Sequence, residues 1–273
     1  LEEHTGKLTR DTFSFCAGTS TGALITAAVA AGIPAKKISE IYLNDTKEIF
    51  SPGAPWGVAK RVLTGSVYNP KTLRKVLSGV LGGAAKWTLN DCPIDVLITA
   101  KRVSDGKPWY FTNDKQSNAR TTGKLNLVDC AVASACAPTY FPPWNINGVG
   151  AMVDGGVGVT GNPVYQAVVE ACDYDVYSDT SVVLSLGTGY TAESNSNPSG
   201  LLGWLGWTLN ELLDSPEEQQ TQLVMRERTV RLTRIDPALT GSVSLDDYKA
   251  VPSLYEQGKK VARSINWDAL LKE

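Results

Sequence analysis

The chain has 273 residues, is 42% apolar and 20% charged, and carries a net charge of −2. That composition suits a globular domain of ordinary hydropathy and gives no basic surplus for holding nucleic acid. No run of about 18 apolar residues is present to form a membrane-spanning helix. The start, "LEEHTGKLTRD", has neither an initiator Met nor a signal-peptide core, and reads as the interior of a longer polypeptide.

Taken in chain order, Phe13 to Ala17 reads as a short buried strand, and Thr21 to Ala31 as an apolar helix stopped by Gly32 and Pro34. Lys36 to Ile49 fits a second helix, and Pro70 to Leu81 a third that opens on a proline. Ile94 to Ala100 is a strand, followed by a hairpin turning at Asp105-Gly106. Leu127 to Cys136 is an Ala-rich helix ended by Pro138, and Ala151 to Val153 a short strand running into Asp154-Gly155-Gly156. Asn162 to Cys172 is a helix, and Ser181 to Leu186 an apolar strand expected to be buried on both faces. The polar stretch from Thr191 to Gly200 is a loop, and Leu201 to Arg226 a long helix. Thr229 to Ile235 alternates as a strand with one wetter face, and Pro252 to Leu271 is an amphipathic helix. Strands alternating with helices, without a break in composition, predict one α/β domain over residues 1–273 with a mainly parallel sheet covered on both faces.

Five cysteines at scattered spacings read as small buried thiols and not as a disulfide framework. The single histidine, His4, cannot anchor a zinc site alone, and no metal is expected.

The stretch "FSFCAGTSTGAL" places Gly18-Thr19-Ser20-Thr21-Gly22 between a strand and a helix. In that context Gly-x-Ser-x-Gly lifts a serine hydroxyl above a sheet edge, at a helix start that favours developing negative charge. The two glycines would let the turn pass close to strand and helix. The plainer alternative is an ordinary small-residue loop. A nucleophilic serine needs a base, yet no histidine follows Ser20, and His4 lies in a polar stretch. The Ser-x-x-Lys pair at Ser104 and Lys107 is explained by its hairpin turn. A carboxylate acting directly on the hydroxyl remains, and Asp154 is the best placed, at a strand end before two glycines. A glycine-rich turn with Asp as turn former is the competing reading.

Together the two motifs resemble those of the patatin-like phospholipases. "GTSTG" matches that family's nucleophile elbow, and "DGG" at Asp154 to Gly156, continued by "GNP" at Gly161 to Pro163, its acid motif. "ASACAPTYFPPW", Ala133 to Trp144, and "LSLGTG", Leu184 to Gly189, are similar to two further family segments. The resemblance runs from about Phe13 to Ile235. It implies a three-layer α/β/α sandwich and hydrolysis of lipid acyl esters by a dyad, Ser20 as nucleophile and Asp154 as general base and acid, with Gly18, Gly22, Gly155 and Gly156 as motif glycines. No organic cofactor is expected for that hydrolysis. A non-catalytic lipid-binding or storage protein on the same fold is the alternative. The family's glycine-rich oxyanion loop has no counterpart before the elbow, which leaves the Thr21 N–H as the one oxyanion donor named and the others expected in a missing N-terminal segment.

Partners are expected to be a lipid acyl-ester substrate and, transiently, a membrane surface, with a cytoplasmic or membrane-peripheral location. "GLLGWLGWTLNELLD", Gly200 to Asp214, reads as a core helix with two tryptophans suited to a membrane boundary. "SPGAPWGVAKRVL", Ser51 to Leu63, is a candidate lid or acyl-chain entrance.

Overall fold

In a computed structural model the described residues are 1–51, 66–113, 122–173, 181–190, 219–227, 229–241 and 243–271. The expected lid at 51–63, the loop from Thr191 and the tryptophan-bearing helix from Gly200 thus lie wholly or almost wholly outside them. Contacts group the chain into two units, Glu2–Pro163 and Val164–Glu273.

The first unit begins with two single-turn helices, α1 (Glu2–Thr5) and α2 (Thr9–Thr12). There follow β1 (Phe15–Gly18), α3 (Thr21–Ala30), α4 (Ala35–Asn44), α5 (Thr46–Ile49) and α6 (Pro70–Leu81). After them come β2 (Asp95–Arg102), β3 (Pro108–Thr112), α7 (Leu127–Ser134), β4 (Trp144–Ile146) and β5 (Gly150–Asp154). The helix expected over 36–49 is broken at Asp45, whose N–H still bonds back to Ile41 while its own backbone caps the next turn. Asn44 and Asp45 are residue types that favour helix ends over helix interiors. Asn69 begins α6 by accepting the Lys71 N–H at 3.0 Å, with Pro70 in the first turn. Leu73, Leu77 and Leu81, one turn apart, give α6 its buried stripe.

The central strand is β2, whose residues Val96 to Ala100 are all fully buried. Its pairing positions the site. β3 pairs antiparallel with residues 97–101 of β2, β1 pairs parallel with 95–98, and β5 pairs antiparallel with 100–102. β3 overlaps both of the others along β2, so it occupies one edge, and β1 and β5 share the opposite edge end to end. They run towards each other: β1 ends with Gly18 opposite Ile98, β5 ends with Asp154 opposite Ala100, and Thr99 lies between. α3 and α7 pack on these strands and on each other, and α6 packs on both.

The fold class is α/β, but this sheet is mixed where a mainly parallel one was expected. β2 and β3, and likewise β4 and β5, are joined by turns too short for anything but antiparallel neighbours. The β1–β2 pair is parallel, as are β6 and β7 of the second unit.

The second unit contains α8 (Val164–Asp173), β6 (Ser181–Leu186), β7 (Val230–Ile235), α9 (Val251–Ser264) and α10 (Trp267–Leu271). Val164, Val168 and Val224 form a small core on which Val183, Val230 and Leu232 pack. β6 is therefore half-buried, with Leu186 66% exposed, where burial on both faces was expected. The C-terminal helix is two helices: Ile265 is extended, and Asn266 restarts the chain by accepting the Ala269 N–H at 3.0 Å. Among the described residues no helix is long and apolar enough to cross a membrane.

Candidate active site

The facing ends of β1 and β5 bring the two sequence motifs together. Ser20 lies two residues past the end of β1 and has φ 54° and ψ −124°, in the left-handed half of the backbone map. For a residue with a Cβ this conformation costs about 1–3 kcal/mol and persists only where the surroundings enforce it. Ser20 is also the N-cap of α3. A serine there ordinarily accepts an N–H of the first turn, but Ser20 makes no such cap bond. Its hydroxyl instead donates to Asp154 Oδ2 at 2.6 Å.

Asp154 is 1% exposed. Its second oxygen, Oδ1, accepts the Gly156 N–H at 2.8 Å, so both carboxylate oxygens are held. Burial pushes its pKa up to about 6, against the opposing pull of hydrogen bonds from the Ser20 hydroxyl and the Gly156 N–H. His4 is exposed on α1. Ser104 and Lys107 lie at the β2–β3 turn, which Gly106 closes at φ 66° by donating to the Arg102 carbonyl at 2.9 Å.

Next to Ser20 and Asp154 lies a knot of buried threonines. Thr99 Oγ1 of β2 shares a 2.7 Å hydrogen bond with Thr19 Oγ1, which also donates to the Thr160 carbonyl at 2.7 Å. Thr160 in turn donates through Oγ1 to the Gly155 carbonyl. The residue before Ser20 and the loop after Asp154 are thus tied to one point on the central strand. From α7 and the segment after it come three more ties. Ser134 Oγ accepts the Ser20 N–H at 2.9 Å, the Ser134 carbonyl the Gly155 N–H at 3.4 Å, and the Cys136 carbonyl the Asp154 N–H at 3.0 Å. Sequence reasoning missed Ser134, Thr99 and Thr160. Their segments were visible, but a hydroxyl buried in a Thr- or Ala-rich run carries no periodic signal of what it bonds.

The motif glycines divide by role. A Cβ on Gly18 would lie 2.1 Å from the Gly22 carbonyl oxygen and 2.5 Å from Thr26 Oγ1, so the close passage expected at the elbow requires this glycine. A Cβ on Gly22 would meet nothing within 4 Å, and close passage does not explain it. Gly155 is needed for space, since a Cβ there would sit 2.2 Å from Thr99 Oγ1. Gly156 serves through its N–H. Thr21 starts α3, where the first-turn N–H groups have no intrahelical acceptor; its carbonyl accepts the Tyr42 hydroxyl at 3.5 Å. An apolar cleft borders the same helix, lined by Leu24, Ala28, Ile41, Tyr42, Leu77 and Val80 among others. Among the described residues no three His, Cys, Asp or Glu side chains are grouped to hold a metal ion, and Cys16, Cys130 and Cys136 are free thiols.

The profile of the patatin-like phospholipase family matches residues 1–168, a span that contains both Ser20 and Asp154. A cGAMP-activated phospholipase of Escherichia coli is 31% identical over 206 residues, 72% of this chain and 56% of that protein. A cGAMP-activated phospholipase of Vibrio cholerae is 28% identical over 254 residues, 87% of this chain and 70% of that protein. Patatin-like protein 2 of Arabidopsis thaliana is 30% identical over 236 residues, 74% of this chain and 56% of that protein. The chain spans little more than half the length of the first and third of these relatives. With the family profile matched across the elbow and the acid loop, the chain belongs to the patatin-like phospholipases.

Proposed function

We propose that this chain hydrolyses acyl esters of glycerolipids and phospholipids through a Ser20–Asp154 dyad. The observation that carries the reading is the 2.6 Å bond from Ser20 Oγ to a buried carboxylate, made in place of a helix cap. As Ser20 Oγ attacks the ester carbonyl, Asp154 Oδ2 takes its proton. The tetrahedral oxyanion forms beside the Thr21 N–H and the start of α3. Collapse expels the alcohol, which takes the proton back from Asp154 and leaves an acyl-serine. Water then gives a proton to Asp154 as it attacks, and that proton returns to Ser20 Oγ as the fatty acid leaves.

The apolar cleft along α3 is a candidate for the acyl chain, with a lipid surface as the source of substrate. The reading takes residues 1–273 as one hydrolase domain. The names of the two bacterial relatives add cGAMP as an activator to try in the assay.

The test is labelling by a fluorophosphonate probe together with turnover of a p-nitrophenyl ester. Ser20→Ala is expected to abolish both, Asp154→Asn to remove turnover, and His4→Ala to leave both intact. Labelling that survives Ser20→Ala, or activity lost in the His4 variant alone, overturns the assignment.

A further inference from the structure

Ser134 is the last residue of α7 and is fully buried. A serine in a helical turn commonly bonds back to a carbonyl of the preceding turn. Ser134 Oγ instead accepts the N–H of Ser20, 114 residues earlier in the chain. Its own carbonyl takes the Gly155 N–H, and two residues on the Cys136 carbonyl takes the Asp154 N–H. One short segment, Ser134 to Cys136, therefore touches both halves of the proposed dyad, Ser20 through a side chain and Asp154 through backbone.

We infer that Ser134 is a positioning residue: its hydroxyl holds the nucleophile's peptide at φ 54° and so sets the separation of Ser20 Oγ from Asp154. The inference rests on the dyad reading. Its physical content is the fate of one amide. Nothing in the first turn of α3 can accept the Ser20 N–H, because that turn offers only donors. Without Ser134 Oγ the peptide gains by rotating to find another acceptor, and that rotation carries the Ser20 side chain with it. The same bond has a second effect. It occupies the nucleophile's own N–H, so within the elbow the Thr21 N–H is left to face a developing oxyanion. Misplacement of a reacting atom by about 1 Å costs on the order of 10²-fold in rate. The loss falls on the chemical step, since Ser134 is buried away from substrate.

The experiment uses the full chain with Ser134→Ala and Ser134→Thr, reading kcat and KM on a p-nitrophenyl ester and the hydrogen exchange of the Ser20 amide by NMR. In Ser134→Ala, kcat is expected to fall about 10- to 100-fold with KM changed by no more than about twofold. The Ser20 amide should exchange at least about tenfold faster, while amides in the second half of α3 keep their protection. Ser134→Thr, which keeps the acceptor, is expected to recover most of kcat. Parental kcat or unchanged Ser20 exchange in Ser134→Ala overturns the inference, as does a folded Thr variant no better than the Ala variant. If the Thr variant does not fold, the amide exchange decides. If Ser20→Ala itself retains turnover, the dyad reading falls and takes this role with it; if Ser20→Ala is inactive while Ser134→Ala is not, the positioning role alone falls.

Discussion

Asp154→Asn is expected to trade activity for stability, by an amount that depends on pH. The Asp154 carboxyl titrates near 3.8 in a free chain and at about 6 in the folded protein, the difference arising from burial. A rise from 3.8 to about 6 corresponds to about 3 kcal/mol. Its sign follows from which state binds the proton more tightly. The folded protein does, so the proton stabilises it fully below the free-chain value, and this stabilisation is lost as pH rises from about 4 to about 6. At pH 7.5 the buried charge costs the parent about 3 kcal/mol relative to the protonated form. Asparagine fits the same bonds without the charge: its carbonyl oxygen can accept the Gly156 N–H, and its amide can donate to Ser20 Oγ. Any fixed cost of burying the amide is independent of pH. The stability of Asp154→Asn minus that of the parent should therefore rise by about 2 kcal/mol between pH 4 and pH 7.5. Urea unfolding of both proteins at the two pH values measures it. A difference that does not change with pH, or that falls towards pH 7.5, is incompatible with burial raising this carboxyl's pKa.

The same titration predicts the rate profile: kcat/KM should fall about tenfold from pH 7 to pH 5 with a midpoint near 6, and a flat profile over that range would exclude Asp154 as the base. Gly18→Ala should cost at least about 2 kcal/mol or prevent folding, because its Cβ meets backbone, whereas Gly22→Ala should be nearly neutral in thermal unfolding. Thr99→Val removes a buried hydroxyl from the bond to Thr19 and should cost about 1–2 kcal/mol in urea unfolding, with a lowered kcat as the elbow loosens.

Ser20 and Asp154 were legible because each stands at a junction that chemistry marks: a small-residue turn between an apolar strand and an apolar helix, and an acid between a strand end and two glycines. Local pattern also found α6 and β6 to the residue, since proline, asparagine and turn residues punctuate them. What stayed hidden is what depends on pairing. That β1 and β5 lie end to end on one edge of β2 is a statement of register, and no local run of residues encodes it. The expectation of a mainly parallel sheet rested on the alternation of strands and helices; the hairpin at Asp105-Gly106 already marked one antiparallel pair, whereas the antiparallel pairing of β5 with β2 and β4 had no comparable local signal. The threonine knot was illegible because Thr19, Thr99 and Thr160 are far apart in sequence and unremarkable in each place.

On the dyad reading, working without a histidine base is a matter of basicity. A free imidazole titrates near 6.5 and a free carboxyl near 3.9, so a carboxylate in water is a poor proton acceptor for a serine hydroxyl at neutral pH. Burial to 1% exposure carries Asp154 to about 6, within about half a unit of imidazole. On the dyad reading the fold thus reaches histidine-like basicity by excluding water. A histidine between acid and serine can take up small errors by turning its ring; a carboxylate bonded directly at 2.6 Å cannot. The base must then be immobile, and the bonds around it meet that need: Gly156 on Oδ1, Cys136 on the Asp154 N–H, and Thr99 against Gly155. Depth of burial sets rate and stability in opposite directions at this residue. A substitution that admits water beside Asp154 should therefore lower its pKa, stabilise the protein near neutral pH and slow the reaction together, and one that moved only one of the three would break the link between them.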